Sequence, residues 1–236
     1  QRELSAAGKY VEAAKVAEKL IRVTFDKLEP RVGVMHKMHV SALNNIMFYY
    51  VQLERDTEVI SYGQRALAFI DRHDNFRSII PDMDASLSLT LADALVRKGN
   101  LDPVLPLLDR AMHDLSVAAL ADANLAGAWE YLADLFTKVR KFAEAESALK
   151  RALSISERLN PNGAPIASQL DKIATVIEAQ GRSNEADQYK RRATIIREPA
   201  SRMDADSLSA SEEMRKQAAV AYEGERYDEA EQLYLK

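Results

Sequence analysis

Small side chains recur in phase along this chain, and that recurrence limits its fold more than any other feature. Lys141 to Leu153 reads KFAEAESALKRAL, with Phe142, Ala145, Ala148 and the pair Ala152 and Leu153 at helical spacing. Taking Ala145 as the marker, the series runs Ala13, Val59, Val104, Ala145, Ala186 and Ala230, with separations of 46, 45, 41, 41 and 44 residues. Seven residues after the markers stand Leu20 and Ile21, Ala66 and Leu67, Ala111 and Met112, Ala152 and Leu153, then the weaker Ala193 and Thr194. A period of this length is the signature of a stacked array, because no single unit buries its own apolar face.

Upstream of Ala145, Trp129, Leu132, Ala133 and Phe136 fall at i, i+3, i+4 and i+7, so each unit reads as two antiparallel helices. Between them lies a turn: Gly8-Lys9-Tyr10, Gly99-Asn100-Leu101, Lys141-Phe142, Gly181-Arg182-Ser183, or Gly224 to Tyr227. Glycine there supplies the left-handed helix stop. Helices are expected at 9–28, 33–53, 56–73, 82–98, 103–121, 124–139, 141–159, 164–180, 183–198, 205–223 and from 226 onward. Pro30, Pro81, Pro161, Pro165 and Pro199 separate or open these segments, and Pro106 must sit in a first turn or bend its helix. The polar stretch from Pro199 to Ser211 is the best candidate for a link, and Gln1 to Ala7 reads as the tail of an earlier helix.

These residues resemble the tetratricopeptide-repeat family. Trp129, Leu132, Ala133 and Phe136 match the first helix of its pattern, Ala145 and Ala152 its later small positions, and Tyr222 to Tyr234 its second helix. The spacing exceeds the family's usual 34 residues by roughly two helical turns. It is similar to the long repeats of kinesin light chains, whose Leu-Asn-Asn run has a counterpart in Leu43, Asn44 and Asn45, and whose Gly/Pro-rich link has one in Asn160 to Pro165. The resemblance implies an all-α, right-handed superhelical solenoid of antiparallel helix pairs. Residues 1–236 then form one array of five to six repeats of about 42 residues, the first and last incomplete.

Composition narrows function further. Hydrophobic residues make up 47% and charged residues 29%, the balance of a packed water-facing chain rather than a disordered one. A formal charge of -4 gives no positive potential to draw phosphate, which argues against nucleic acid as a partner. Apolar runs such as Val117 to Ala121 fall far short of the ~20 residues of a membrane span. Cysteine is absent, removing disulfides and thiolate chemistry while leaving the compartment open. The chain starts at Gln1 without Met and stops at Lys236 within a helical pattern, which reads as a fragment or a processed form.

In the family's fold the first helix of each pair lines a concave groove, so the resemblance nominates residues off the apolar stripe. They are Asn44, Asn45 and Phe48 in one repeat, and Thr90, Asp93 and Arg97 in the next. Glu130, Tyr131, Asp134 and Lys138 follow, then Asp171, Lys172, Thr175 and Glu178, and last Arg215, Lys216 and Tyr222. Asn side chains offer donor and acceptor together and suit the amides of an extended peptide, while the alternating charges suit a polar one. A protein or peptide partner in that groove is the expected function. The alternatives are a scaffold or homo-oligomer associating through exposed repeat ends, and a sensor domain controlling a fused effector.

No enzyme, metal or cofactor reading gathers support. His36 and His39 lie at i, i+3 without a third ligand at metal spacing and are expected on the surface. His73, between Asp71 and Asp74 with Arg72, is read as a cation suited to a helix end. Phe48, Tyr49 and Tyr50 cannot all face the core, since neighbouring helix residues point ~100° apart. Trp129 is expected in the core. Glu144 and Glu146, the Lys150 and Arg151 pair, and the Lys190 to Arg192 run are expected on solvated faces.

Overall fold

A computed structural model describes residues 2–25, 33–73, 80–117, 123–160 and 164–197, all helices and their short connections. The order is α1 (Arg2–Phe25), α2 (Gly33–Gln52), α3 (Asp56–Arg72), α4 (Pro81–Arg97), α5 (Val104–Val117), α6 (Ala123–Lys138), α7 (Phe142–Leu159) and α8 (Ala164–Ala179). A ninth helix, α9, covers 183–197. The expected helices from 205 onward, the link from Pro199, the Ala230 marker, and Arg215, Lys216 and Tyr222 lie outside the described residues, as does the side chain of His36. Within them the all-helical repeat architecture is as the periodicity predicts.

Helices pair as α2 with α3, α4 with α5, α6 with α7, and α8 with α9, each pair joined by a turn with one residue in the left-handed region. Those residues are Glu54 (φ 55°), Gly99 (φ 73°), Arg140 (φ 62°) and Gly181 (φ 78°). Each lies five residues before its marker, Val59, Val104, Ala145 or Ala186. After each, the next amide donates back to a buried residue five positions earlier: Arg55 to Tyr50 O (2.9 Å), Asn100 to Leu95 O (3.0 Å), Lys141 to Phe136 O (2.8 Å) and Arg182 to Ile177 O (3.2 Å). This six-to-one bond closes a Schellman turn and satisfies a carbonyl the helix leaves open. Glycine provides the stop in only two of the four turns; Glu54 and Arg140 adopt the same conformation against a Cβ penalty.

The markers Val59, Val104, Ala145 and Ala186 are wholly buried. In the first repeat the phase differs by one from the sequence reading: Ala14 and Ile21 are buried, whereas Ala13 is half-buried and Leu20 is exposed. The separations become 45, 45, 41 and 41 residues. The turn expected at Gly8 is absent because α1 continues through it. Gly63 instead marks a close approach: a Cβ on α3 there would lie 3.0 Å from Met47 Cε of α2 and 3.1 Å from Leu91 Cβ of α4. Pro106 falls in the first turn of α5, where its missing N–H leaves no helical bond unmade.

α4 is the most enclosed helix. Ala85, Leu87, Ser88, Leu89 and Leu91 to Leu95 are all buried, because α2 and α6 flank it in one layer and α3 and α5 cover it from the other. Its Asp84, fully buried, takes a forked pair of bonds from Arg110 of α5 (Nε to Oδ2 2.9 Å, Nη2 to Oδ1 2.8 Å). Arg110 Nη1 also reaches Asp71 of α3 at 2.7 Å, tying three helices through one guanidinium.

Two solvated-face expectations fail because partners from elsewhere in the fold cover the side chains. Glu146 is buried and accepts bonds from Lys150 (2.7 Å), Arg182 (2.7 Å) and Gln180 (2.8 Å). Burial works against its charge, but those donors prevail and hold its carboxyl down at about 2. His39 is buried and stacks on Phe69, centroids 4.1 Å apart, instead of lying at the surface. Trp129 is in the core as expected, and Arg151 spreads over its ring at 5.0 Å. Lys190 pairs with Glu178 and Arg192 with Glu157 while remaining exposed.

Replacing Arg140 by Gly removes the left-handed penalty and should stabilise the protein by about 1 kcal/mol, a rise of ~2–4 °C in melting temperature. An unchanged or lower melting point would contradict this account of the turn.

Candidate groove across the first helices

The first helices of the pairs, α2, α4, α6 and α8, lie side by side, and their outward residues form a continuous strip. Between α2 and α4 a depression of about 150 Å³ is lined by Asn44, Phe48, Val51, Ser86, Thr90, Asp93 and Arg97, with Tyr131 of α6 at its end. Six of the sequence candidates are thereby brought together: Asn44, Phe48, Thr90, Asp93, Arg97 and Tyr131. Asn45 lies beside it, exposed. Of the three consecutive aromatics, Tyr50 is buried and bonded to Glu18 (2.5 Å), Tyr49 is half-buried, and Phe48 is 51% exposed, facing the depression.

Along the strip beyond Thr90 the charged candidates hold one another. Asp93 is buried and takes bonds from Lys138 (2.8 Å), Arg97 and the Tyr131 hydroxyl. Burial would raise its carboxyl, yet these donors outweigh it and hold the group below the ordinary range. Burial first, then the Asp93 charge, push the Tyr131 phenol well above its ordinary range. Arg97 also donates to Asp56 of α3 at 2.9 Å. One repeat further, Lys172 bridges Asp134 (3.0 Å) and Glu130 (3.3 Å), while Gln169 donates to Glu130 (2.6 Å). Asp171 pairs with Arg197, and Thr175 turns its hydroxyl back to its own helix at Asp171 O (2.9 Å). The two Asn side chains at the other end make no side-chain hydrogen bond among the described residues.

A second depression, about 280 Å³, adjoins the first and shares Ser86, Thr90 and Tyr131 with it. Its further lining is Asp82, Leu89, Leu115, Gly127 and Ala128, from α4, α5 and α6. None of these five was nominated from the sequence. The i, i+4 continuation of Thr90 back to Ser86 and Asp82 was the available signal; Leu115, from the end of a second helix, had none. Both depressions are smaller than most small-molecule sites and match single side chains in scale. Among the described residues no group of three His, Asp or Glu could hold a metal ion, and no helix is long and apolar enough to cross a membrane.

Substituting Asp93 by Asn should cost about 1.5–3 kcal/mol at neutral pH, since it weakens charge-assisted bonds to Lys138 and Arg97. The wild-type carboxyl titrates lower when folded than when unfolded, so its stabilisation is complete above pH ~4 and fades below that. Melting curves of both proteins between pH 7 and 2.5 should converge on acidification; a constant gap would remove the ionised Asp93 from the explanation.

No family model matches the chain, and no curated protein matches it. Solved structures do. A Podosopora anserina protein described as a kinesin light chain with nearly identical TPR-like repeats is similar over 85% of this chain and 92% of its own, at 17% identity and a TM-score of 0.66. RapI in its apo form is similar over 95% and 87%, at 12% identity and 0.58, and MamA over 84% and 94%, at 16% identity and 0.57. At these identities what is shared is the path of the helices, and the chain is built as a tetratricopeptide-like helical repeat array.

Proposed function

We propose that this chain is a non-catalytic protein-interaction module that holds an extended segment of a partner protein across α2, α4 and α6. The observation that carries the reading is Phe48, 51% exposed beside the unoccupied amides of Asn44 and Asn45. An aromatic left in water next to two side chains that pair with peptide groups is the composition of an interface centre. The side-chain scale of both depressions favours a chain of residues over a compact small molecule. The fold adds a general argument: arrays of this kind present long continuous faces, and a partner lying along them touches several repeats at once.

Affinity capture from an extract of the source organism, with the wild type beside an Asn44→Ala, Phe48→Ala double variant, tests the groove. Loss of a captured partner by at least about tenfold in the variant is expected, because interface centres carry most of the binding energy. Full retention would place binding elsewhere.

Self-association is the second reading, favoured by Val16 on α1 and Ile195 on α9, which are 67% and 65% exposed at opposite ends of the described array. Sedimentation over about a hundredfold range of concentration decides it: mass rising above 26.4 kDa supports association, and constant mass removes it.

A further inference from the structure

We propose that the partner segment is basic, with a lysine or arginine whose aliphatic stem lies in the larger depression and whose cationic head meets Asp82. The inference rests on the groove reading above and adds the chemistry of what the groove selects.

Charge pairing along the strip carries the argument. Among the described residues the cations nominated for the groove are Arg97, Lys138 and Lys172, and each is engaged by carboxylates of this chain: Arg97 by Asp56 and Asp93, Lys138 by Asp93, Lys172 by Glu130 and Asp134. An acidic ligand would compete with those pairs, including the ones at the buried Asp93, for cations already neutralised by this chain. Asp82 is different. It is exposed on the rim of the larger depression and has no hydrogen bond or ion pair among the described residues. Those three cations are matched within the strip by Asp93, Glu130 and Asp134, with Asp56 of α3 behind them, so Asp82 is the charge left over.

Shape agrees with charge. Beside Asp82 the depression is lined by Leu89, Leu115, Ala128 and Tyr131, an apolar floor of the kind an aliphatic stem packs on. Gly127 adds no side chain to the opening. An apolar floor with one carboxylate at its edge fits an amphipathic cation better than either a wholly apolar or an acidic side chain. Ser86 and Thr90 separate this depression from the one holding Asn44 and Phe48, so the basic residue lies beside the stretch of partner backbone that meets the amides.

Selection of a random peptide library displayed on phage, run in parallel on wild type, Asp82→Asn, Asp82→Lys, and the Asn44→Ala, Phe48→Ala double variant, tests the proposal. Wild type should enrich peptides with Lys or Arg at one fixed position. Asp82→Asn should weaken a synthesised consensus peptide about threefold to tenfold and erase that preference. Asp82→Lys should replace it with Asp or Glu, a change that loss of folding could not produce. Peptides that need Asn44 and Phe48 but are neutral or acidic, or ignore Asp82, overturn the basic segment while leaving the groove intact. Peptides indifferent to the double variant, or no enrichment at all, overturn the groove and this inference with it.

Discussion

A helix that must stop, reverse and restart within five residues has few ways to do so, and this chain uses the same one four times. The left-handed residue, the amide that bonds back to the buried residue at 50, 95, 136 or 177, and the small or β-branched marker five places on form one rigid unit. Because the stop and the marker keep a constant separation, the second helix always enters the stack with the same face inward. Burial of the markers then follows in every described repeat after the first. The alternation of layers, the enclosure of α4 and the alignment of α2, α4, α6 and α8 along one strip all descend from that fixed reversal.

Within the strip, opposite physical regimes sit end to end. Where α4, α6 and α8 adjoin, carboxylates and cations of neighbouring repeats satisfy one another, and long side chains that could roam are pinned by partners ~40 residues away in sequence. The pair at the half-exposed Asp134 adds little net stability, since exposed pairs are individually weak, whereas those at the buried Asp93 add more. Toward α2 the pairing ends, and amide, hydroxyl and aromatic groups face water. The surface is thus self-satisfied at one end and open at the other, and the proposed partner segment is placed at the open end.

The periodic spacing makes the helices legible to within a residue or two, apart from α1 and the end of α5, whose last expected residues lie outside the described ones, because helix boundaries here are written locally by apolar stripes and turns. The sequence misphases the first repeat because Gly8 resembles the stops at Gly99 and Gly181, yet α1 runs straight through it; a glycine inside a helix costs only about 1 kcal/mol and packing overrides it. Glu54 and Arg140 were missed as left-handed stops for the converse reason, since nothing about either residue type announces the conformation. Burial of Asp93, Glu146 and His39 was illegible because their partners come from other helices, Lys138, Arg182 and Phe69 among them. Asn44, Phe48 and Tyr131 were reachable through family phase; Leu115 and Ala128 required knowing how three helices meet.

The uneven separation of the markers has a meaning of its own. Successive intervals are 45, 45, 41 and 41 residues, while the stop-to-marker distance never changes, so the additional four residues cannot reside in the bend between stop and marker. Between α3 and α4 the connection covers 73–80, whereas between α7 and α8 it covers 160–163. Length varies in the joints and in the helices, α2 having 20 residues and α8 16, and is excluded from the step between stop and marker. An array built on that rule keeps every reversal in register with the helix it starts, whatever the length of the segments between one reversal and the next.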